Sequence, residues 1–117
     1  MFKLVKKEGE GYISAYADGK AKVEFIPGQW ISAPKWLRKR GYHITVFGSL
    51  EDAKALMMNS ADHEIWEVEV EGEICDLPPR QDLWVIREGE LGDKFGEWPK
   101  GTRMVRRVKL VRRVEIY

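Results

Sequence analysis

Cysteine is nearly absent from this chain of 117 residues: Cys75 stands alone. One thiol makes neither an internal disulfide nor a multi-cysteine zinc site, and a reducing, intracellular (cytoplasmic) setting is the natural expectation. Histidine is scarce, with His43 and His63 the full complement. No H-x-x-x-H spacing exists, and the neighbouring side chains of Asp62-His63-Glu64 diverge on an extended segment, so no metal ligands are expected. Amides are rarer than charges by far: Asn59, Gln29 and Gln81 stand against 20 Lys+Arg and 19 Asp+Glu. Few labile amides among many charges of both signs point to a thermophilic source. No apolar run approaches the ~20 residues of a membrane helix, and MFKLVKKEGEG is too short and too charged for a signal peptide. No membrane contact is expected. P-loop, G-x-S-x-G and CxxC motifs are missing, and Gly9-x-Gly11 lacks the third glycine and the helix of a dinucleotide loop. Nothing in the spacing supplies Cys75 with a histidine base, so no catalytic residue is assigned.

What is present is alternation. In IWEVEVEGEIC, Trp66, Val68, Val70 and Ile74 occupy every second position, and Glu67, Glu69, Glu71 and Glu73 fill the positions between. A period of two puts the sets on opposite faces of a strand, one apolar and one acidic. We expect a strand over 65–71, broken at Gly72 and resumed over 74–77. The remaining chain is organised around it. The length fits one domain, 1–117, with a core of its own.

In order, Phe2 to Lys7 reads as a strand. Tyr12–Tyr16 and Ala21–Ile26 read as two more, with Asp18-Gly19 as the hairpin turn between them. Pro27-Gly28 ends that segment. Trp30 and Ile31 open a short strand, and Pro34 starts a helix of one to two turns, PKWLRKR, closed by Gly41. Tyr42–Phe47 is β-branched and aromatic, hence a strand. Ser49 caps a helix over 50–59 with Glu51 and Asp52 in its first turn, and Leu50, Ala53, Leu56 and Met57 share one of its faces. Leu83–Arg87 is a short strand, and 88–101, with four glycines and Pro99, is a long loop. The valine-rich run from Thr102 to Tyr117 is one long strand or two consecutive ones.

Two basic segments compete as contact surfaces. In 103–113, Arg103, Arg107, Lys109 and Arg113 share one parity. Opposite charges across a strand pair are each worth roughly 0.2–1 kcal/mol, so the favoured arrangement sets this strand against the glutamate strand and satisfies its cations internally. The second segment, 35–42, gathers Lys35, Arg38, Lys39 and Arg40 around Trp36 and Tyr42 and has no evident acidic counterpart. A cationic groove with stacking aromatics suits RNA or single-stranded DNA.

One continuous stretch resembles the central segment of small ADP-ribosyltransferase-like domains. It comprises Gly41-Tyr42-His43-Ile44-Thr45, then Ser49-Leu50-Glu51-Asp52-Ala53, then the strand at 65–71. The same arrangement is similar to that of small uncharacterised proteins of phages, prophages and archaeal viruses. The resemblance implies an NAD-binding cleft near Tyr42, His43 and Thr45. The chain departs from the transferase pattern in having Tyr12-Ile13-Ser14 where an early-strand motif belongs, with only Glu97 and Glu115 as candidates for a catalytic glutamate.

The expected fold is α+β, a mostly antiparallel twisted sheet with one main helix over 50–59 packed on it. Its expected core is Trp66, Val68, Val70, Ile44, Val46, Leu56, Val108 and Leu110. The expected function is a small non-catalytic interaction or ligand-binding domain of viral or mobile-element type, without a cofactor. Its contact residues would be Lys35, Trp36, Arg38, Lys39, Arg40, Tyr42, His43, Thr45, Phe95 and Trp98, meeting a protein partner or a second copy of the chain. The alternatives are an NAD-using ADP-ribosyltransferase-like enzyme and a nucleic-acid binder using 35–42 and 103–113.

Overall fold

Alternating β-branched, aromatic and charged residues put most of the chain into strands. The computed structural model describes residues 1–15, 18–19, 22–57, 62–81, 84–85 and 94–115. In chain order these form β1 (Phe2–Glu8), β2 (Gly11–Ser14), β3 (Asp18–Gly19), β4 (Glu24–Phe25), β5 (Trp30–Ile31), α1 (Lys35–Arg38), β6 (Ile44–Phe47), α2 (Leu50–Met57), β7 (His63–Ile74), β8 (Arg80–Gln81), β9 (Trp84–Val85), β10 (Lys94–Gly96) and β11 (Thr102–Arg113).

Strands β7 and β11 form the spine. They run antiparallel from Met104↔Ile74 to Arg113↔Trp66, with a register shift between Leu110 and Arg112. The other edge of β11 carries β6, from Thr102↔Phe47 to Val105↔Ile44, and then β5 at Val108↔Ile31 and Lys109↔Trp30. Beyond the shift, β7 also pairs with β1, from Phe2↔Glu67 to Lys6↔His63. Pairing of Phe2 with Phe47 then joins β1 to β6. Strands β1, β6, β11 and β7 therefore close into a four-membered antiparallel ring. Strand β2 extends from β1, and β4 from β2.

Expectation and structure part at the architecture. The mostly antiparallel sheet is present, but in place of an α+β fold with one main helix the described residues form a sheet-dominated, barrel-like closure with two short helices. An extra residue at Val111 supplies part of the reason, because a bulge bends its strand and increases local twist. Nor does Gly72 break its strand: β7 passes through it at φ +71°, and Glu71 and Glu73 stay in register with Arg107 and Val105. Asp18-Gly19 lies at the centre of the hairpin register, and residues 16–17 and 20–21 beside it lie outside the described residues. Asp18 and Gly19 form β3, parallel to β9, while the chain still returns antiparallel at Tyr12↔Phe25. The expected loop 88–101 contains β10, which pairs with β8; its residues 88–93 lie outside the described residues, as do 58–60 at the expected end of α2. The Ser49 cap is present, its Oγ accepting from the Asp52 N–H at 3.2 Å.

Two apolar clusters flank the sheet. The larger holds Val5, Phe25, Leu37, Ile44, Val46, Val68, Val105, Val108 and Leu110, with Trp66 and Val70 packed against it. The smaller lies under α2, where Leu4, Phe47, Ala53 and Ile65 meet Leu50, Leu56 and Met57. All the expected core residues are thus in one cluster or the other, although Trp66, Val70 and Leu56 are only partly buried.

Candidate functional site

The charged faces of β7 and β11 neutralise one another. Ion pairs join Arg103 to Glu73, Arg107 to Glu71, Lys109 to Glu69, Arg112 to Glu67 and Arg113 to Glu64. Trp30 flanks this ladder, with the Arg107 guanidinium and the Lys109 ammonium 4.9 and 5.1 Å from its ring centre. Five cations of the basic run are thereby occupied, as expected from opposed charge patterns, but the shift at Val111 puts Arg112 rather than Arg113 opposite the glutamate face.

Arg106 is the exception, and register explains why. It stands opposite Gly72 on β7, on the face turned away from the glutamates. A Cβ at Gly72 would come within 2.7 Å of the Arg106 Cδ. Continuing the β11–β6 register by one residue sets Arg106 beside His43. It also falls between the part of β11 that pairs with β6 and the part that pairs with β5. Its neighbours of like parity, Met104 and Val108, are buried, yet Arg106 is exposed through this gap.

The connection from β5 to β6 spans the same gap and carries α1. Its geometry follows from local chemistry. Pro34 stands at the N-cap, and Gly41, at φ +86°, ends the helix. The Tyr42 N–H donates to the Leu37 carbonyl and the Gly41 N–H to that of Arg38, both at 3.0 Å. That pair of bonds is the Schellman closure, and it brings Leu37 and Tyr42 together in the core. Leu37 and Tyr42 thus anchor the segment, while Lys35, Arg38, Lys39 and Arg40 are exposed. Arg38 donates to the Ala33 carbonyl at 2.8 Å, and the Arg40 guanidinium sits 5.6 Å from the Trp36 ring centre. None of these four cations is ion-paired to a carboxylate among the described residues.

His43, at the end of this connection, is partly buried. Its backbone N–H reaches the Met104 Sδ at 3.2 Å, and its Nδ1 is buried without a hydrogen-bond partner. Burial first, then the positive charges of Arg106 and Arg38, lower its pKa from the ordinary histidine value. Arg38, His43 and Arg106 are therefore a cationic group with no carboxylate among the described charges that act on the imidazole.

The remaining expected contact residues sit elsewhere. Tyr42 is in the core, its hydroxyl donating to the Pro79 carbonyl at 2.6 Å, and burial raises its pKa. Thr45 accepts from the buried Lys3 Nζ, through its carbonyl at 2.7 Å and its Oγ1 at 3.4 Å. Trp98 packs against the larger cluster and donates to the Pro78 carbonyl at 2.8 Å. Phe95 belongs to β10, and its side chain lies outside the described residues. Arg106 escapes a reading of the basic run as one block. Its signal is the adjacent pair Arg106-Arg107, because consecutive strand residues cannot share a face.

Comparison with protein-family models, curated proteins and solved structures finds no match to this chain. No helix among the described residues is long and apolar enough to cross a membrane.

Proposed function

We propose that the chain is a small non-catalytic binding domain that receives an anionic partner on the face made by Lys35 to His43. The supporting observation is a contrast within one molecule. Five cations of β11 are each matched to a glutamate, whereas the exposed cations of α1 and its closing turn have no carboxylate partner among the described residues. Unneutralised charge beside Trp36 suits a polyanion, and an extended single-stranded nucleic acid fits that description. The five paired cations of β11 contribute little to such a contact. An NAD-using transferase calls for a glutamate close to His43, whereas the described charges that lower that ring's pKa are those of Arg106 and Arg38. The binding reading is therefore preferred.

The test is a titration with a labelled single-stranded oligonucleotide, followed by anisotropy and by tryptophan fluorescence, with NAD in parallel. The combined variant Lys35→Glu, Lys39→Glu, Arg40→Glu should weaken oligonucleotide binding at least about tenfold, and salt should weaken it in the wild type. Arg112→Glu, on the paired ladder, should change it far less. Equal losses from the two variants, or a saturable response to NAD alone, would overturn the reading.

A further inference from the structure

The geometry points to a phosphate-binding pocket formed by Arg38, His43 and Arg106 where the β5–α1–β6 connection crosses the gap on β11. The inference rests on the binding reading above and supplies its chemistry: the group recognised is a phosphate, either on a free mononucleotide or in a nucleic-acid backbone.

Three observations converge. First, Arg106 is withdrawn from the glutamate ladder by parity, and glycine at position 72 leaves room for its side chain. Second, Arg38 stands on the helix of the connection that spans this gap, and the ends of that helix are fixed by Pro34 and by the Gly41 closure. One Arg38 nitrogen is committed to the Ala33 carbonyl, which orients the guanidinium and leaves its other donors available. Third, His43 stands opposite Arg106 in the continued β11–β6 register, the charges of both arginines act on its ring, and its Nδ1 has no hydrogen-bond partner. Two guanidinium forks and an imidazole supply planar, directional N–H donors, the set that matches phosphate oxygens. A phosphate placed there would neutralise cations that the fold has brought together without a carboxylate. It would also favour protonation of His43.

The experiment uses the full chain and inorganic phosphate at constant ionic strength, with chloride as the control. Imidazole ¹⁵N and ¹H shifts of His43 and His63 are followed by NMR. Phosphate should move the His43 signals saturably and leave those of His63 in place. Arg106→Gln and Arg38→Gln should each weaken phosphate binding about tenfold or more, the loss expected for a charge-assisted hydrogen bond. Arg106 and Arg38 are both exposed, so these variants are expected to fold, which their circular dichroism spectra would check. Arg112→Glu, on the paired ladder, should have a much smaller effect. Two further arms separate the sources. A 5′-mononucleotide that binds as phosphate does, while an oligonucleotide lacking a terminal phosphate does not, identifies a monoester. Binding of that oligonucleotide with the same dependence on Arg106 identifies the backbone.

A non-saturable phosphate response, or an Arg106→Gln variant that titrates like the wild type, overturns the pocket. If the α1 triple variant still loses oligonucleotide binding in that case, the broader binding face survives. A pocket that holds phosphate in a chain with no affinity for oligonucleotides reverses those fates.

Discussion

Lys3 shows how far a single side chain departs from its ordinary behaviour inside this fold. It is 8% exposed, hydrogen-bonded to Thr45 and 5.5 Å from the Phe25 ring centre, with no carboxylate partner among the described residues. Burial lowers its pKa from 10.5 to about 8. Between those values the unfolded chain holds the proton more tightly, so this residue makes stability rise with pH across that window. Below about pH 8 it is charged in both states and contributes no slope. The full effect is on the order of 3 kcal/mol. Lys3→Met should therefore lose that pH dependence. Urea unfolding of wild type and variant at pH 7 and pH 10.5 checks it; an unchanged stability difference at the two pH values would rule the account out. Lys3 was legible only as an alternate position on a first strand. That it is enclosed depends on Phe25 and Thr45, which arrive from distant strands.

At the scale of elements, the ladder and the glycine opposite Arg106 make different demands. Exposed ion pairs are individually weak, so Glu71→Ala should cost less than about 1 kcal/mol. Gly72→Ala should cost more, about 1–3 kcal/mol, because it combines a left-handed φ with a side chain directed at the Arg106 stem. The same substitution should weaken phosphate binding by displacing Arg106. Urea midpoints of the two variants test the ordering. The pairing of β7 with β11 could be read from sequence because two charge patterns of opposite sign share one period. The helix at Lys35 could be read from Pro34 and Gly41, whose backbone limits are intrinsic. The pocket could not, because it needs the register that sets His43 and Gly72 on either side of Arg106.

At the scale of the molecule, β1 and β7 contribute to both apolar clusters, Val5 and Val68 to one and Leu4 and Ile65 to the other. The clusters should fail together. Ile65→Ala and Leu110→Ala, one in each, should each cost about 2–5 kcal/mol. Tryptophan fluorescence and far-ultraviolet circular dichroism should still report one shared unfolding midpoint. Separate midpoints would show two independent units. Closure of the ring was not legible, since it depends on Phe2↔Phe47 and on the register shift near Val111, neither of which leaves a mark in hydropathy. The closure has a consequence for crowded solutions. Each strand of the ring pairs with two others, and where the two long strands meet, β1 also covers the far edge of β7 at Trp66 and Glu67. At the ends of the main sheet path stand β4 and β5, each two residues long. Where the ring closes, the paired backbone leaves a second molecule little to extend, and connectivity resists edge-to-edge aggregation there.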